Sequence, residues 1–432
     1  MPEPPGAGRR LLVLLVALGA IGSPAAVLRA ACAGNACPPP APAAEAPPFC
    51  RLPAPMRALL AAGFYEGRSP DVLAVTDAER VAPPGGGAPW PALADARPEP
   101  RAPLAFIGPA VVPGPVVEAA LADVAPTLEP LLGLVRPHPQ VRSGRAIPGV
   151  VRPGRRSPLV VVVAWKGLGR HRAGPLLRRL GRLPDAAVGA ARVGSLPLAP
   201  AAVLTTIGSG GSPAEHGITD ERVRGRGGGL AEAWSSGAPT SVIATLGDDL
   251  DEATGGAARI GLVADRASDR GLIGGTWYGG RDDDDLLVGR RPLEGIRRLL
   301  DAGYGAGGSP DLLGVSLDVD AHDVVATTRR VLAVVFGRVA EATVVVAGTG
   351  SAGPADALDA HALAREVERA IGARVVAGVG ASGLWLDEGV AADRGIGAVA
   401  VATALARLRA ADGRPLVAAA FPAFAVTFGR FC

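Results

Sequence analysis

Along this chain, short β-branched runs alternate with amphipathic helical stretches, and that alternation restricts the fold more than any other feature. It is the pattern of an α/β protein with a mainly parallel sheet flanked by helices. The strand candidates are 71–76, 104–108, 157–165, 258–265, 311–317, 343–348 and 373–380. The spacing predicts helices over 56–64, 117–132, 174–183, 240–252, 293–303, 322–338, 356–371 and 391–411. With 432 residues and 48% hydrophobic content, the chain is long enough for one large core or two smaller ones.

The N-terminus reads as a leader. Arg9 and Arg10 precede the apolar run LLVLLVALGAIG and a small-residue stretch, the layout of a secretory signal over residues 1–31. A membrane span needs about 20 apolar residues, so export comes first and an uncleaved N-terminal anchor second. A secreted or cell-envelope location follows. Residues 32–49 form a Pro/Ala-rich spacer, and the globular domain runs from 50 to 432. The four cysteines, Cys32, Cys37, Cys50 and Cys432, all lie near the chain ends. An even count in an exported chain points to disulfides; three pairings exist, and Cys32–Cys37 with Cys50–Cys432 is favoured. None has a histidine at metal-ligand spacing. The formal charge is only +3, and no arginine block is interleaved with aromatics, which argues against nucleic-acid binding.

The sequence repeats itself once. MRALLAAGFYEGRSPDVLAVT (56–76) and IRRLLDAGYGAGGSPDLLGVS (296–316) align position for position, and the same offset sets LAFIGPA (104–110) over VVVAGTG (344–350). A helix–strand–loop–strand–helix unit therefore occurs twice, in segments of about 50–150 and 290–390. The period is far longer than a solenoid repeat, so two related halves of one sheet are expected.

Several segments carry possible chemistry. TVVVAGTGSAG (343–353) contains G-x-G-x-x-G between a strand and a helix. It lacks an acid at the end of the next strand, so a tight turn is the better reading than a nucleotide site. The acidic run Asp282–Asp285 reads as a solvated loop. Asp318 and His322 stand four residues apart at a strand's C-terminal end, where both can face a metal ion. The competing reading of equal weight is an acidic loop capping the following helix, with Asp320 as its N-cap. TTIGSGGSPAEHGITD (205–220) offers Thr205, Thr206 and His216 as catalytic candidates. Lys166, the chain's single lysine, closes the run SPLVVVVAWK and is an anion-binding candidate; a snorkelling residue at a strand end is the alternative.

SPLVVVVAWKGLG (157–169) followed by SLPLAPAAVLTTIGSGGSPAEHGITD (195–220) resembles the opening of the alkaline phosphatase superfamily, in particular its type I phosphodiesterase/nucleotide pyrophosphatase branch. DLLGVSLDVDAHD (311–323) is similar to the family's Asp-x-x-x-His metal segment, and TVVVAGTG to its strand ending in Asp-His-Gly. The likeness covers roughly two-thirds of the chain in permuted order, and P-A-E-H-G-I is its most specific piece. It implies an alkaline-phosphatase-like sheet. Carried over residue by residue, the metal-binding Asp falls on Lys166, the nucleophilic Thr within Leu198–Pro200, and the Asp-His pair on Gly348–Thr349. Asp318 and His322 match metal ligands, and His216 matches a histidine that shapes the loop. The resemblance thus implies an exported pseudoenzyme that binds or scaffolds an unidentified ligand or protein in the cell envelope, with no cofactor. The alternative is an active phosphoric-ester hydrolase whose site is rebuilt from Asp318, His322, Thr205, Thr206 and His216. On that reading alone it carries zinc or another divalent cation.

Overall fold

Leu159–Lys166 is buried at all eight positions because it is the innermost strand of an eight-stranded sheet. A strand covered on both faces has no reason to alternate polar with apolar residues, which is why LVVVVAW reads as one hydrophobic run. The computed structural model describes residues 48–77, 80–83, 88–225, 227–275, 277–278, 284–289, 291–351, 357–410 and 412–432.

The central strand pairs in parallel with Asp311–Asp318 on one side and with Thr343–Gly348 on the other. Beyond Asp311–Asp318 lie Ile260–Ala264 and Asp285–Val288, also parallel. Beyond Thr343–Gly348 lie Arg101–Ile107, which runs antiparallel, then Ala186–Arg192 and the short Gly114–Val116. Alternate side chains of the strands enter two separate cores. Val160, Val162 and Ala164 share one with Leu204 and Ile207 of the helix Pro200–Ser209 and Leu128 of Val124–Leu132. Val161, Val163 and Trp165 share the other with Leu176 of Gly174–Leu180, Ile296 of Pro292–Asp301 and Val331 of Val324–Arg338.

A second sheet has the order Val376–Val379, Gly383–Leu386, Val72–Thr76, Val417–Pro422 and is wholly antiparallel. It packs on Ala360–Ile371 and Ala398–Ala406 through its own core. It brings together strands from both ends of the described chain, and Cys50 and Cys432 are disulfide-bonded beside it, as favoured from the sequence. Cys32 and Cys37 lie outside the described residues. No helix among the described residues is long and apolar enough to cross a membrane.

Three sequence expectations change. The two copies of the repeat share their local form, a helix followed by an S-P-D turn and a strand. Yet Val72–Thr76 lies in the antiparallel sheet and Asp311–Asp318 in the central one, so they are not matching halves of one sheet. The aspartate explains the likeness: Asp71 accepts the N–H of Leu386 and Asp311 accepts those of Arg259 and Gly305. The helix expected over 240–252 begins only at Leu246, where the Thr245 side chain accepts from the N–H of Asp248. The long helix expected over 391–411 breaks at Gly395–Gly397 into Glu388–Asp393 and Ala398–Ala406.

Candidate functional site

The parallel strands end together, and their C-terminal edge is where crevices form in such sheets. Lys166 ends the central strand directly beside Asp318, and Gly348 ends its strand beside Trp165. The helix Pro200–Ser209 points its N-terminus at the same edge. A cavity of about 310 Å3 results, lined by Lys166, Arg172, Leu198, Pro200, Asp318 and Gly350, among others. Lys166, the Leu198–Pro200 stretch, Asp318 and the Gly348–Gly350 turn therefore meet at one place. Sequence positions as distant as 166 and 350 share it because parallel strands need long crossovers.

Lys166 does not project into this cavity as a free cation. Its Nζ lies 2.6 Å from Oδ2 of Asp269, and the two side chains are only 5% and 1% exposed. The charge offered by the sequence for an external anion is thus held by an internal one. Asp269 sits on the 3-10 turn Ala267–Leu272, immediately after the Ile260–Ala264 strand. Burial raises its carboxyl pKa, and the neighbouring ammonium opposes that rise. Glu221 joins the group from the other side. Its Oε1 accepts the N–H of Ala201 at 3.0 Å, so the chain's own carboxylate occupies the N-terminus of Pro200–Ser209. That is the place where a helix favours an anion. The Glu221 carboxyl is also pushed up, by burial first and then by Asp269, while Lys166 and Arg266 pull it down.

Asp318 and His322 are close in sequence and take different partners. Oδ1 of Asp318 accepts the N–H of Asp320. His322 Nε2 lies 3.3 Å from Oδ1 of Asp265, and its ring meets Trp165 edge-on with centroids 6.5 Å apart. Asp265 also accepts the N–H of Asp318 through Oδ2, so its carboxylate is the link between the two. Asp323, not Asp320, caps the helix, accepting from the N–H of Ala326. No group of three or more His, Cys, Asp or Glu side chains is arranged around a metal position among the described residues. Asp265, Asp269 and Glu221 were not picked out from the sequence. Asp265 is the last residue of the predicted strand 258–265 and Asp269 lies four residues beyond it, and the switch-point geometry of parallel sheets is the signal that finds them.

Thr205, Thr206 and His216 are elsewhere. All three are buried. Thr205 Oγ1 donates to the carbonyl of Ala201, and Trp234 Nε1 donates to Thr205 in turn. His216 Nδ1 accepts the N–H of Ile218, which leaves the proton on Nε2 to be donated to Thr206 Oγ1 at 3.1 Å. The Thr206 hydroxyl donates onward to the Ala202 carbonyl. Burial pushes the His216 imidazole down to about 3, so it stays neutral. Every polar atom of this Thr-His pair is occupied in joining the turn to the helix. The S-P-A-E-H-G segment caps a short helix: Glu215 accepts the N–H of Ser212, and Gly217 closes it at φ 76°. The site envisaged from Asp318, His322, Thr205, Thr206 and His216 together does not form, because the threonines face into Pro200–Ser209 and its neighbours rather than the sheet edge.

The glycine turn is equally committed. The N–H groups of Thr349 and Gly350 go to the carbonyls of Trp165 and Leu168, and Gly167 donates to Thr349 Oγ1. A Cβ on Gly348 would stand 2.1 Å from the Leu168 carbonyl oxygen, so glycine is there for the close approach of two loops. Of the acidic run, Asp284 pairs with Arg270 and Asp285 accepts from the Tyr304 hydroxyl; Asp282 and Asp283 lie outside the described residues.

No family model matches the sequence, and neither a curated protein nor a solved structure matches the chain.

Proposed function

We propose that this chain is an exported, non-catalytic α/β protein of alkaline-phosphatase type, acting as a binding or scaffold protein of the cell envelope. One observation carries the reading: Lys166 at the sheet-edge crevice is held in a buried ion pair with Asp269, and Glu221 takes the adjacent helix N-terminus. In a metal-dependent phosphoryl-transfer site those positions belong to a divalent cation, a hydroxyl nucleophile and an anionic substrate. Here an ammonium stands where a cation would be, a carboxylate stands where the substrate anion would be, and the residues between are Leu198, Ala199 and Pro200. The parallel order Asp311–Asp318, Leu159–Lys166, Thr343–Gly348 supports the resemblance, since it sets three of the matched segments side by side. The Cys50–Cys432 bridge suits an oxidising compartment.

Metal analysis of the purified protein, paired with a phosphodiester hydrolysis assay, tests the proposal. The expected result is substoichiometric divalent metal and no turnover. Stoichiometric zinc, with hydrolysis abolished in Asp318→Ala, overturns it.

A further inference from the structure

The helix Val324–Arg338 has more apolar surface than the sheet covers. Thr327, Thr328, Val331 and Val335 are its buried positions, whereas Val325, Leu332 and Phe336 are only partly buried and Ala333 is exposed. Positions 325, 329, 332, 333 and 336 share one side at helical spacing. That side faces Leu176, Leu180 and Leu183, which follow the same spacing on and just beyond the helix Gly174–Leu180. Between the two helices lies a cavity of about 460 Å3 with Ile107 and Pro109 at its floor. From Val325 to Phe336 the helix advances about 16 Å.

Two arginines line this apolar slot, Arg179 from one helix and Arg329 from the other. Both are exposed, and neither has an ion-pair or hydrogen-bond partner among the described residues. Among the described residues one carboxylate lines the slot, that of Asp185, and it lies 3.6 Å from Arg152. The cavity thus combines an apolar lining with two exposed guanidinium groups, a mainly apolar pocket of ligand size with a few polar groups.

We propose that the slot between Gly174–Leu180 and Val324–Arg338 binds a single-chain anionic amphiphile, its alkyl chain along Leu176, Leu180, Leu332 and Phe336 and its head group between Arg179 and Arg329. Guanidinium groups suit both carboxylate and phosphate head groups, so the shared chemistry is one alkyl chain with one anionic head. The slot involves none of the residues of the Lys166 crevice, and its occupation stands apart from whether that crevice is catalytic.

Titration calorimetry on the purified protein, below the micelle concentration of each probe, tests this with laurate, dodecyl phosphate, dodecanol and inorganic phosphate. Laurate or dodecyl phosphate binds saturably at one site, and the tighter of the two identifies the head group. Dodecanol, which loses both guanidinium contacts, binds about a hundredfold more weakly, and inorganic phosphate alone gives no heat. Arg179→Ala and Arg329→Ala each weaken the anionic probe about tenfold, the scale of losing one charge-assisted hydrogen bond, and leave dodecanol unchanged. Ala333→Trp, at an exposed position, fills the slot and removes binding while the melting temperature holds. If Ala333→Trp unfolds the protein, the two arginine variants decide alone. Absence of saturable binding by both anionic probes, equal binding of dodecanol, or full binding in Ala333→Trp overturns the proposal. So does capture of an amphipathic peptide helix that the anionic amphiphiles do not displace.

Discussion

Asp220 and His216 are two buried titratable groups in one turn, and they bias stability in opposite directions. Burial pushes the Asp220 carboxyl from its ordinary 3.8 to about 7, against the N–H bonds it accepts from Ala381 and Glu221. The folded state therefore holds a proton there that the unfolded state has released. The stability from this group is full below pH 3.8 and is lost as pH rises to about 7. For His216 the folded value drops from 6.5 to about 3, so the unfolded state takes up the proton first. Its contribution is full above 6.5 and is lost as pH falls toward 3. Chemical denaturation of the single variants from pH 4 to 7 separates them. Relative to wild type, Asp220→Asn gains stability progressively as pH rises, and His216→Gln gains it progressively as pH falls. Parallel curves for wild type and variant would refute either assignment. Lys166 gives a larger effect. Lys166→Met leaves Asp269 and Glu221 buried without their common counter-charge, for which about 3–5 kcal/mol of destabilisation in urea is expected. Adding Asp269→Leu to Lys166→Met regains much of that loss, since an apolar pair needs no compensation. Lys166 was visible as an anomaly at a strand end. Its partner was not, because an ion pair between residues 166 and 269 is made by strand order, which no local pattern encodes.

At the scale of elements, legibility depends on how each segment is buried. Five of the eight strands of the central sheet were recognisable, because continuous apolar burial leaves a plain signature. The helix Pro200–Ser209 went unrecognised: it is buried along nearly its whole length, so PAAVLTTIGS has no polar face to reveal its period. Ala186–Arg192, AAVGAAR, is a strand without a β-branched run, and it forms because Arg101–Ile107 supplies a complete ladder for it. The two S-P-D segments each join a helix to a strand, but the strands lie in different sheets rather than in related halves of one. In both copies the aspartate accepts backbone N–H groups at the start of a strand, and that job is the same in either sheet. Asp311→Ala leaves the N–H groups of Arg259 and Gly305 without their acceptor, so roughly 2–4 kcal/mol is lost, measured by the shift in urea midpoint.

Within residues 48–432 a disulfide joins two segments far apart in sequence. The disulfide Cys50–Cys432 spans 382 residues of sequence, and the strands Val72–Thr76 and Val417–Pro422 pair beside it. Closing so long a loop restricts the unfolded chain, and the double variant Cys50→Ser with Cys432→Ser is expected to lose about 2–4 kcal/mol. Thermal melting of the oxidised protein against this variant checks it; coincident melts would show that strand pairing alone closes the domain. Local sequence by itself determined the α/β class, five of the eight strands of the central sheet, and the residues that terminate its inner parallel strands. These depend on burial periodicity and side-chain chemistry, which act over a few neighbouring residues. Only the tertiary structure decided that Lys166 is neutralised by Asp269, that Glu221 takes the helix N-terminus, and that Thr206 and His216 serve each other rather than the crevice. Those pairings join residues whose separation in sequence is bridged by crossovers, and long-range electrostatics and hydrogen bonding exist only once the crossovers have been folded back onto the sheet.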